Sequence, residues 1–253
     1  MINIKPLKAF SDNYIWLLES NEDISVIDPG DAKPVLDYLE NKNKNLVDIF
    51  ITHHHFDHTA GVPELISKIS GSVYGPKNSY ELIRDKVTEG DIISSLSMNF
   101  EVIEVPGHTL DHIAFFNKEN NILFCGDTLF AGGCGRVFEG TFDQMFDSLN
   151  KLKKLPESTQ IYCGHEYTKS NLVFSIGVEP ENSDLVLRNS EIDSLIMKNG
   201  SSLPSSIELE KKTNPFLRCD LLGDNIQLMQ RSGLKNPSEK EIFRYIREWK
   251  DSA

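Results

Sequence analysis

Four histidines and one aspartate occupy six consecutive positions of the chain. They lie in the stretch Thr52-His53-His54-His55-Phe56-Asp57-His58. Neutral imidazole and carboxylate groups are preferred ligands of zinc and of comparable divalent ions. Imidazoles crowded together without a metal would repel one another once protonated, which disfavours a plain solvated loop. The stretch therefore predicts a metal site.

The remaining histidines extend this pattern, because all seven in the chain fall into three places. Each place follows an apolar segment predicted to be a strand, and so does one further aspartate. The metal-binding side chains would then follow the ends of four strands and lie at the same edge of the fold. The additional stretches are Pro106-Gly107-His108-Thr109-Leu110-Asp111-His112, Gly126-Asp127-Thr128 and Cys163-Gly164-His165-Glu166-Tyr167.

The elements that position these residues follow from the apolar pattern. Short apolar segments separated by turn residues predict strands at 14–18, 25–27, 46–51, 100–105, 112–116, 122–125 and 161–163. Helix signals predict helices that begin after Asp31, Thr141 and Ser238 and one over 183–198 that ends at Gly200.

This distribution predicts an α+β protein with two domains. Residues 1–168 are expected to form a β-rich sandwich flanked by helices, and residues 169–253 a mainly helical domain.

Composition excludes several classes of protein. With 26 basic and 38 acidic residues the net charge is −12, which disfavours a nucleic-acid-binding surface. No apolar run is long enough for a membrane span, and the N-terminus lacks the apolar stretch of a signal peptide. From these two observations we expect a cytoplasmic protein. The four cysteines form no C-x-x-C pair, so we expect reduced thiols.

The motifs T-H-x-H-x-D-H, P-G-H-T, G-D-T-L-F and G-H-E-Y resemble those of the metallo-β-lactamase superfamily. The narrower resemblance is to the glyoxalase II family, the hydroxyacylglutathione hydrolases. It is carried by residues 10–14, 126–136, 162–168 and 214–218, and the terminal residues 242–251 resemble the last helix of that family. The resemblance implies an αββα sandwich with a C-terminal helical domain that binds substrate.

The same resemblance implies a centre of two divalent metal ions. Zinc is the expected metal, and the ligand types also accept iron or manganese. Asp127 would bridge the two ions, and with Asp57 it is assigned a catalytic role. The implied ligands are His53, His55 and His108 for one ion and Asp57, His58 and His165 for the other.

The activity implied is hydrolysis of the thioester S-2-hydroxyacylglutathione, such as S-D-lactoylglutathione, by a hydroxide held between the metal ions, as a step of methylglyoxal detoxification. A thioester suits such a site because its thiolate leaving group, with a pKa of about 8.5, departs with little help from an acid. A monomer without nucleic-acid or membrane partners is expected.

Substrate contacts are implied at Arg136, Phe138, Tyr167 and Arg218, where the two arginines would meet the carboxylates of glutathione. Two positions depart from part of the family. Some members have tyrosine at the position of Phe138, and some have lysine where this chain has Leu221.

Several residues admit two interpretations. Asp28 is either a turn aspartate or an acceptor that supports a metal ligand, whereas His54 and His112 are expected to pack or to support rather than to ligate. Cys134 is expected to be a small buried residue.

Three alternative functions are considered. One is an oxidoreductase of the same superfamily, such as a persulfide dioxygenase with a single iron. The others are a metal-binding scaffold without activity and a hydrolase of the same fold with another substrate.

Overall fold

Residues 2–77 and 80–253 are described by a computed structural model, and their contacts divide them into two units. The first unit comprises the described residues up to Glu104, together with Asp111–Gly126 and Tyr162–His165. The second comprises Val105–Leu110, Asp127–Ile161 and Glu166–Ala253. The predicted domain boundary after residue 168 stays a prediction.

One sheet of the first unit has six strands in sequential order. The first three strands are antiparallel, whereas the third to the sixth are parallel to one another. The second strand is buried on both faces, which explains its nearly continuous apolar sequence. The strands are β1 (Asn3–Ala9), β2 (Asn13–Glu19), β3 (Asp23–Ile27), β4 (Asn45–Phe50), β5 (Val73–Pro76) and β6 (Asp85–Val87).

The other sheet contains four antiparallel strands, β7 (Ile92–Ser95), β8 (Met98–Glu104), β9 (Ile113–Asn117) and β10 (Ile122–Gly126). In the second unit, β11 (Leu129–Phe130) and β12 (Gly133–Cys134) form a small hairpin. The strand β13 (Gln160–Cys163) is next to β10 in the sheet order and begins in the second unit, where it pairs with β14 (Ser205–Ser206).

The two sheets of the first unit face each other through aromatic side chains. The Phe50 ring meets the rings of Phe100 and Phe115 edge to face, with centroids 5.5 and 5.2 Å apart. The helix α1 (Ala32–Lys42) contributes buried Ala32 and Val35 to the core on the outer side of the first sheet. Two short helices, α2 (Phe56–Thr59) and α3 (Val62–Leu65), follow β4.

The second unit is rich in helices, two of which begin with a capping box, at Thr141 and Ser238. A short 3₁₀ helix covers Pro215–Leu217. None of the helices in the described part of the chain is long and apolar enough to cross a membrane. The helices are α4 (Phe142–Lys153), α5 (Thr168–Val178), α6 (Ser183–Asn199), α7 (Ile207–Thr213), α8 (Cys219–Leu222), α9 (Ile226–Ser232) and α10 (Glu239–Asp251).

The predicted α+β organisation is confirmed, and all seven predicted strands and four predicted helices are present to within a few residues. Of the strands, sequence reasoning missed β1, β5, β6 and β7 and the two-residue strands β11, β12 and β14. Polar residues alternate with apolar ones in β1, whose outer side is solvated, and β5 to β7 are too short for periodicity to identify them.

Candidate metal centre

The histidine-rich stretch of the first unit begins where β4 ends. His53 and His58 are buried and His55 is half-buried. The Nε2 atom of His53 lies 3.2 Å from Nδ1 of His55, and the His53 and His58 rings are 4.2 Å apart. The sharp turn into the four-residue helix α2 brings these imidazoles together.

A second group of donor atoms forms around Asp57. Its Oδ2 lies 3.6 Å from Nε2 of His58 and 3.4 Å from Nε2 of His165. His165 comes from the end of β13, more than one hundred residues further along the chain. The three residues present one ligand atom each, all within 4.8 Å of one another.

This donor set fits a divalent metal ion. In a tetrahedral site with ligands at about 2.05 Å, neighbouring ligand atoms are about 3.3 Å apart. The distance between the facing nitrogens of His53 and His55 is 3.2 Å, and the distances from Oδ2 of Asp57 to Nε2 of His165 and of His58 are 3.4 and 3.6 Å. All three agree with that edge length. Imidazole nitrogens and one carboxylate are also the chemistry that zinc, iron and manganese accept.

Asp28 fixes the orientation of two of these histidines. It is buried, and its backbone has φ 52°, a left-handed conformation that aspartate tolerates better than most residues. Its Oδ2 accepts hydrogen bonds from Nδ1 of His58 (3.0 Å) and from Oγ1 of Thr52 (2.7 Å). Since the Thr52 hydroxyl donates to Asp28, it accepts from Nδ1 of His53 at 3.0 Å.

The supporting interpretation of Asp28 therefore accounts for its contacts better than a plain turn residue does. An imidazole whose Nδ1–H is bound to an acceptor presents the lone pair of Nε2. In both His53 and His58 the proton is on Nδ1, so Nε2 presents its lone pair to a metal ion. A neighbouring glycine allows the close approach of the metal loop, because a Cβ on Gly30 would lie 1.8 Å from the Asp57 carbonyl oxygen.

Two residues that sequence reasoning left without a role act on the second group. Oδ1 of Asp12 accepts a hydrogen bond of 2.8 Å from Nδ1 of His165, which again leaves Nε2 directed at Asp57. Nδ2 of Asn13 donates to Oδ2 of Asp57 at 2.9 Å. Both residues lie in the motif at 10–14. The presence of that motif in the family was the only feature of the sequence that pointed to them.

The structure shows contacts of His54 and His112, whose role as residues that do not ligate stays a prediction. Nδ1 of His54 donates to Oδ1 of Asp111 at 3.0 Å. The buried His112 ring stacks on the His53 ring, with centroids 4.5 Å apart and an angle of 17° between the ring planes. His112 therefore packs against a predicted ligand.

In the second unit, the two further predicted ligands lie beside each other. Nε2 of His108 is 3.5 Å from Oδ2 of Asp127, and both residues are buried. Nδ1 of His108 donates to the main-chain oxygen of Arg136 at 2.7 Å, so this imidazole also presents Nε2. The assignment of this pair to the same centre as the ligands of the first unit stays a prediction.

The predicted substrate residues Arg136 and Phe138 are exposed neighbours of this pair. The Phe138 ring lies 5.3 Å from the His108 ring and 5.9 Å from the Arg136 guanidinium carbon. Arg136 is 53 % exposed, and its Nε donates to Oδ1 of Asp251 at 3.0 Å. Because Asp251 binds only Nε of Arg136 and the side chain is open to solvent, the guanidinium can still bind an anionic ligand.

Arg218 differs from Arg136, because its guanidinium is bound within the protein. Nε donates to both carboxylate oxygens of Glu179, at 3.1 and 3.0 Å, and Nη1 donates to the Lys211 carbonyl oxygen. Tyr167 packs its ring against that of Phe130, with centroids 5.2 Å apart. Leu221 is exposed.

Two cations of α10 were missed in the sequence. Asp251 also accepts a 3.0 Å hydrogen bond from Nη2 of Arg247, which is buried. Lys250, one residue before Asp251, has a pKa lowered to about 8, first by burial and then by the Arg247 charge. The available signal was their spacing on α10, the helix that the sequence predicts to begin after Ser238.

The four cysteines are all buried. Burial raises the pKa of the Cys134 thiol, which disfavours a nucleophilic thiolate. The small buried role predicted for Cys134 therefore agrees with its surroundings.

Comparison with known proteins defines the class of this site. Residues 10–165 match the Metallo-beta-lactamase superfamily, and residues 166–253 match the Hydroxyacylglutathione hydrolase C-terminus. Among solved structures, "ETHE1 from Myxococcus xanthus" is 26 % identical with a TM-score of 0.66, covering 94 % of this chain and 95 % of that one. "TTHA1623 in a di-iron-bound form" is 25 % identical with a TM-score of 0.61, covering 84 % and 100 %.

Curated relatives narrow the assignment. A hydroxyacylglutathione hydrolase of Pseudomonas syringae pv. syringae is 49 % identical, with 99 % of each chain covered. Proteins of the same name from Pseudoalteromonas translucida and Nitrosomonas eutropha are 47 % and 44 % identical, covering 99 % and 100 % of this chain and 99 % of each relative. The chain thus belongs to the metallo-β-lactamase superfamily and, within it, to the hydroxyacylglutathione hydrolase family.

Proposed function

We propose that this protein hydrolyses S-2-hydroxyacylglutathione to glutathione and a 2-hydroxy acid. The observation that carries the proposal is family membership over the full chain combined with a supported set of histidine and aspartate donors. S-D-Lactoylglutathione is the proposed representative substrate, which would place the reaction in methylglyoxal detoxification.

In the proposed centre, His53, His55 and His108 would hold one divalent ion and Asp57, His58 and His165 the other, and Asp127 would be a ligand of both. Such ions supply a water of lowered pKa and polarise the acyl oxygen. The chain contributes by fixing its donors. Asp12 and Asp28 keep the protons of His165 and His58 on Nδ1, and Asn13 orients the Asp57 carboxylate.

The leaving group explains why little further acid catalysis is required. A glutathione thiolate has a pKa of about 8.5, so it departs largely without a proton. An amide or a phosphodiester would demand a positioned acid. The ligand set therefore suits a thioester.

Recognition of glutathione is proposed to depend on the cations that surround Asp251. Arg136 and Arg247 share Oδ1 of Asp251, and Lys250 is adjacent in the same helix. Guanidinium and ammonium groups are suited to a peptide carboxylate. Phe138 and Tyr167 would flank the peptide, whereas Arg218 is the weaker candidate because Glu179 already binds it.

The persulfide dioxygenase alternative is not favoured, since the C-terminal third matches the Hydroxyacylglutathione hydrolase C-terminus and full-length relatives carry the hydrolase name. The metal identity, zinc with iron or manganese as alternatives, stays a proposal. A monomeric state and a cytoplasmic location are also proposals.

The test is a thioester assay on the purified protein with S-D-lactoylglutathione, following the loss of thioester absorbance. We expect turnover by the metal-loaded protein. His55→Ala and Asp127→Ala should each lower kcat by at least about 100-fold, because loss of a ligand must exceed the roughly 10- to 100-fold cost of losing a supporting contact.

His54→Ala is the matched control, since this neighbouring histidine is not among the predicted ligands and its Nδ1 donates to Asp111. It should keep kcat within about fivefold of the unaltered protein, because it removes one half-exposed hydrogen bond. Absence of turnover by the metal-loaded protein, or full turnover by both ligand variants, would defeat the proposal.

A further inference from the structure

The hairpin between Asp127 and Arg136 is held by side chains of the C-terminal helices. Five consecutive main-chain carbonyl oxygens, those of residues 130–134, each accept a side-chain hydrogen bond of 2.9 to 3.2 Å. The donors are Asn214 for Phe130 and Gly133, Asn171 for Ala131, Ser175 for Gly132 and Arg247 for Cys134.

A buried carboxylate fixes the orientation of the central donor. Glu210 is fully buried, and its Oε2 accepts from the Gly132 N–H (2.8 Å) and from Nδ2 of Asn214 (3.0 Å). Oδ1 of Asn214 accepts from the Phe216 N–H at 3.1 Å. Since a carboxylate only accepts, Glu210 requires the Asn214 amide to present its NH₂ group to the hairpin.

The hairpin backbone also approaches one of these side chains, and the main chain at Asp127, closely. A Cβ on Gly133 would lie 2.7 Å from Cγ of Asn171, and a Cβ on Gly135 would lie 1.9 Å from the Asp127 carbonyl oxygen. Only glycine permits these approaches. The hairpin therefore has one position relative to the side chains that bind it.

The hairpin cannot maintain this position through its own strands. β11 and β12 have two residues each and share two pairs, Leu129 with Cys134 and Phe130 with Gly133. An isolated hairpin is marginal in water even when it is longer. The external hydrogen bonds consequently determine where its downstream end lies.

Arg136 depends on that end more than Asp127 does. Asp127 directly follows the five-residue strand β10 in the chain, whereas Arg136 comes two residues after β12. Beyond the hairpin, the Arg136 main-chain oxygen accepts from His108, and the guanidinium lies over the Phe138 ring and donates one partly exposed hydrogen bond to Asp251. The exposed Arg136 side chain is therefore the group that a displaced hairpin would redirect most easily.

We propose that Asn214, assisted by Ser175, is a positioning residue that aims Arg136 at the substrate carboxylate by fixing the 129–134 hairpin. The inference rests on the proposed function. It makes substrate affinity, rather than the chemical step, the property that Asn214 controls.

The test compares Asn214→Ala with Asn117→Ala. Asn117 is an equally buried asparagine whose Nδ2 donates to a main-chain oxygen, that of Asn99, and whose Oδ1 accepts from the Asn120 N–H. Both variants should lose thermal stability. Only Asn214→Ala should raise KM for S-D-lactoylglutathione, by about fivefold, with kcat within twofold, since a lost hydrogen bond is worth about 1 kcal/mol.

Binding of S-methylglutathione, a thioether that cannot be hydrolysed, provides a readout independent of turnover. Its Kd by calorimetry should rise about fivefold in Asn214→Ala and stay unchanged in Asn117→Ala. If the unaltered protein binds this probe with that pattern but does not hydrolyse thioesters, the proposed function fails and the positioning role holds.

Ser175→Ala provides a test if Asn214→Ala does not fold. It removes only a single buried hydrogen bond, the one to the Gly132 carbonyl oxygen. We expect KM for S-D-lactoylglutathione and Kd for S-methylglutathione each to rise about twofold. An Asn214→Ala protein that folds and keeps both constants would overturn the inference. If Asn214→Ala does not fold, a Ser175→Ala protein whose KM and Kd do not rise would overturn it.

Discussion

Two carboxylates organise two different regions of the molecule. In the first unit, Asp28 accepts from His58 and from Thr52, and through Thr52 it orients His53. In the second unit, Asp251 accepts from Arg136 and Arg247. Asp28 is 3 % exposed, whereas the side chain of Asp251 is 28 % exposed.

This difference in exposure separates a rigid group from an adjustable one. Burial removes competing water, so the hydrogen bonds of Asp28 define where each histidine carries its proton. The half-exposed pair of Arg136 and Asp251 has a small energy, which permits the arginine to exchange its partner for a ligand carboxylate. We therefore expect Asp28 to affect metal binding and turnover, and the cations near Asp251 to affect KM.

The largest effect is expected from Asp28→Asn. The asparagine tolerates the left-handed backbone, and its Oδ1 can still accept from the Thr52 N–H. Its NH₂ group would then face Nδ1 of His58, which favours the tautomer with the proton on Nε2. A protonated Nε2 cannot ligate, so metal affinity and kcat should each fall about 10- to 100-fold.

Asp48→Asn is the matched control for that change. Asp48 is a similarly buried carboxylate that accepts from the Ser72 N–H (2.8 Å) and the Ser95 hydroxyl (2.6 Å), and no histidine is among these partners. Elemental analysis and kcat should show the loss in Asp28→Asn alone. Equal losses in both variants would reduce Asp28 to a structural role.

The sequence predicted the buried region better than the exposed one. Four histidines and a carboxylate in six positions have few explanations besides a metal, and the strands that precede His53, Asp127 and His165 are rich in apolar residues. Supporting residues are harder to recognise. Asp12 and Asn13 lie 153 and 44 positions from their partners, and their spacing predicts neither contact.

The cation cluster was missed for a related reason. Arg247 and Lys250 are three residues apart on α10, where an amphipathic pattern predicts ordinary solvated charges. Only tertiary packing shows that Arg247 is buried against the hairpin that precedes Arg136. Conversely, Arg218 stood out in its motif, yet the structure shows it engaged by Glu179.

A smaller effect is expected from pH. The Lys250 pKa is lowered to about 8 by burial and by Arg247, while Asp251 and Cys134 act in the opposite direction. The ammonium therefore predominates below pH 8 and is lost above it. Because only the charged form attracts a carboxylate, kcat/KM should fall several-fold between pH 7 and 9 as KM rises.

Lys250→Arg distinguishes this titration from that of other groups. An arginine remains charged throughout the range, so the fall in kcat/KM attributable to position 250 should disappear in this variant. The measurement is the ratio of the two pH profiles, in which titrations common to both proteins cancel. A constant ratio between pH 7 and 9 would remove Lys250 from the recognition of substrate.

The smallest effect on activity is expected from Arg218→Lys, measured beside Arg136→Lys. A lysine at 136 keeps the charge but loses the paired donors, and KM should rise about threefold. At 218 the same change breaks the multiple contacts with Glu179, so the melting temperature should fall while KM stays within twofold. If Arg218→Lys instead raises KM as much as Arg136→Lys, Arg218 contacts the substrate as its motif predicts. The arginine bound to Glu179 could then exchange its partner for a substrate carboxylate, as proposed for the arginine bound to Asp251. Burial of the partner would no longer decide which arginine binds substrate.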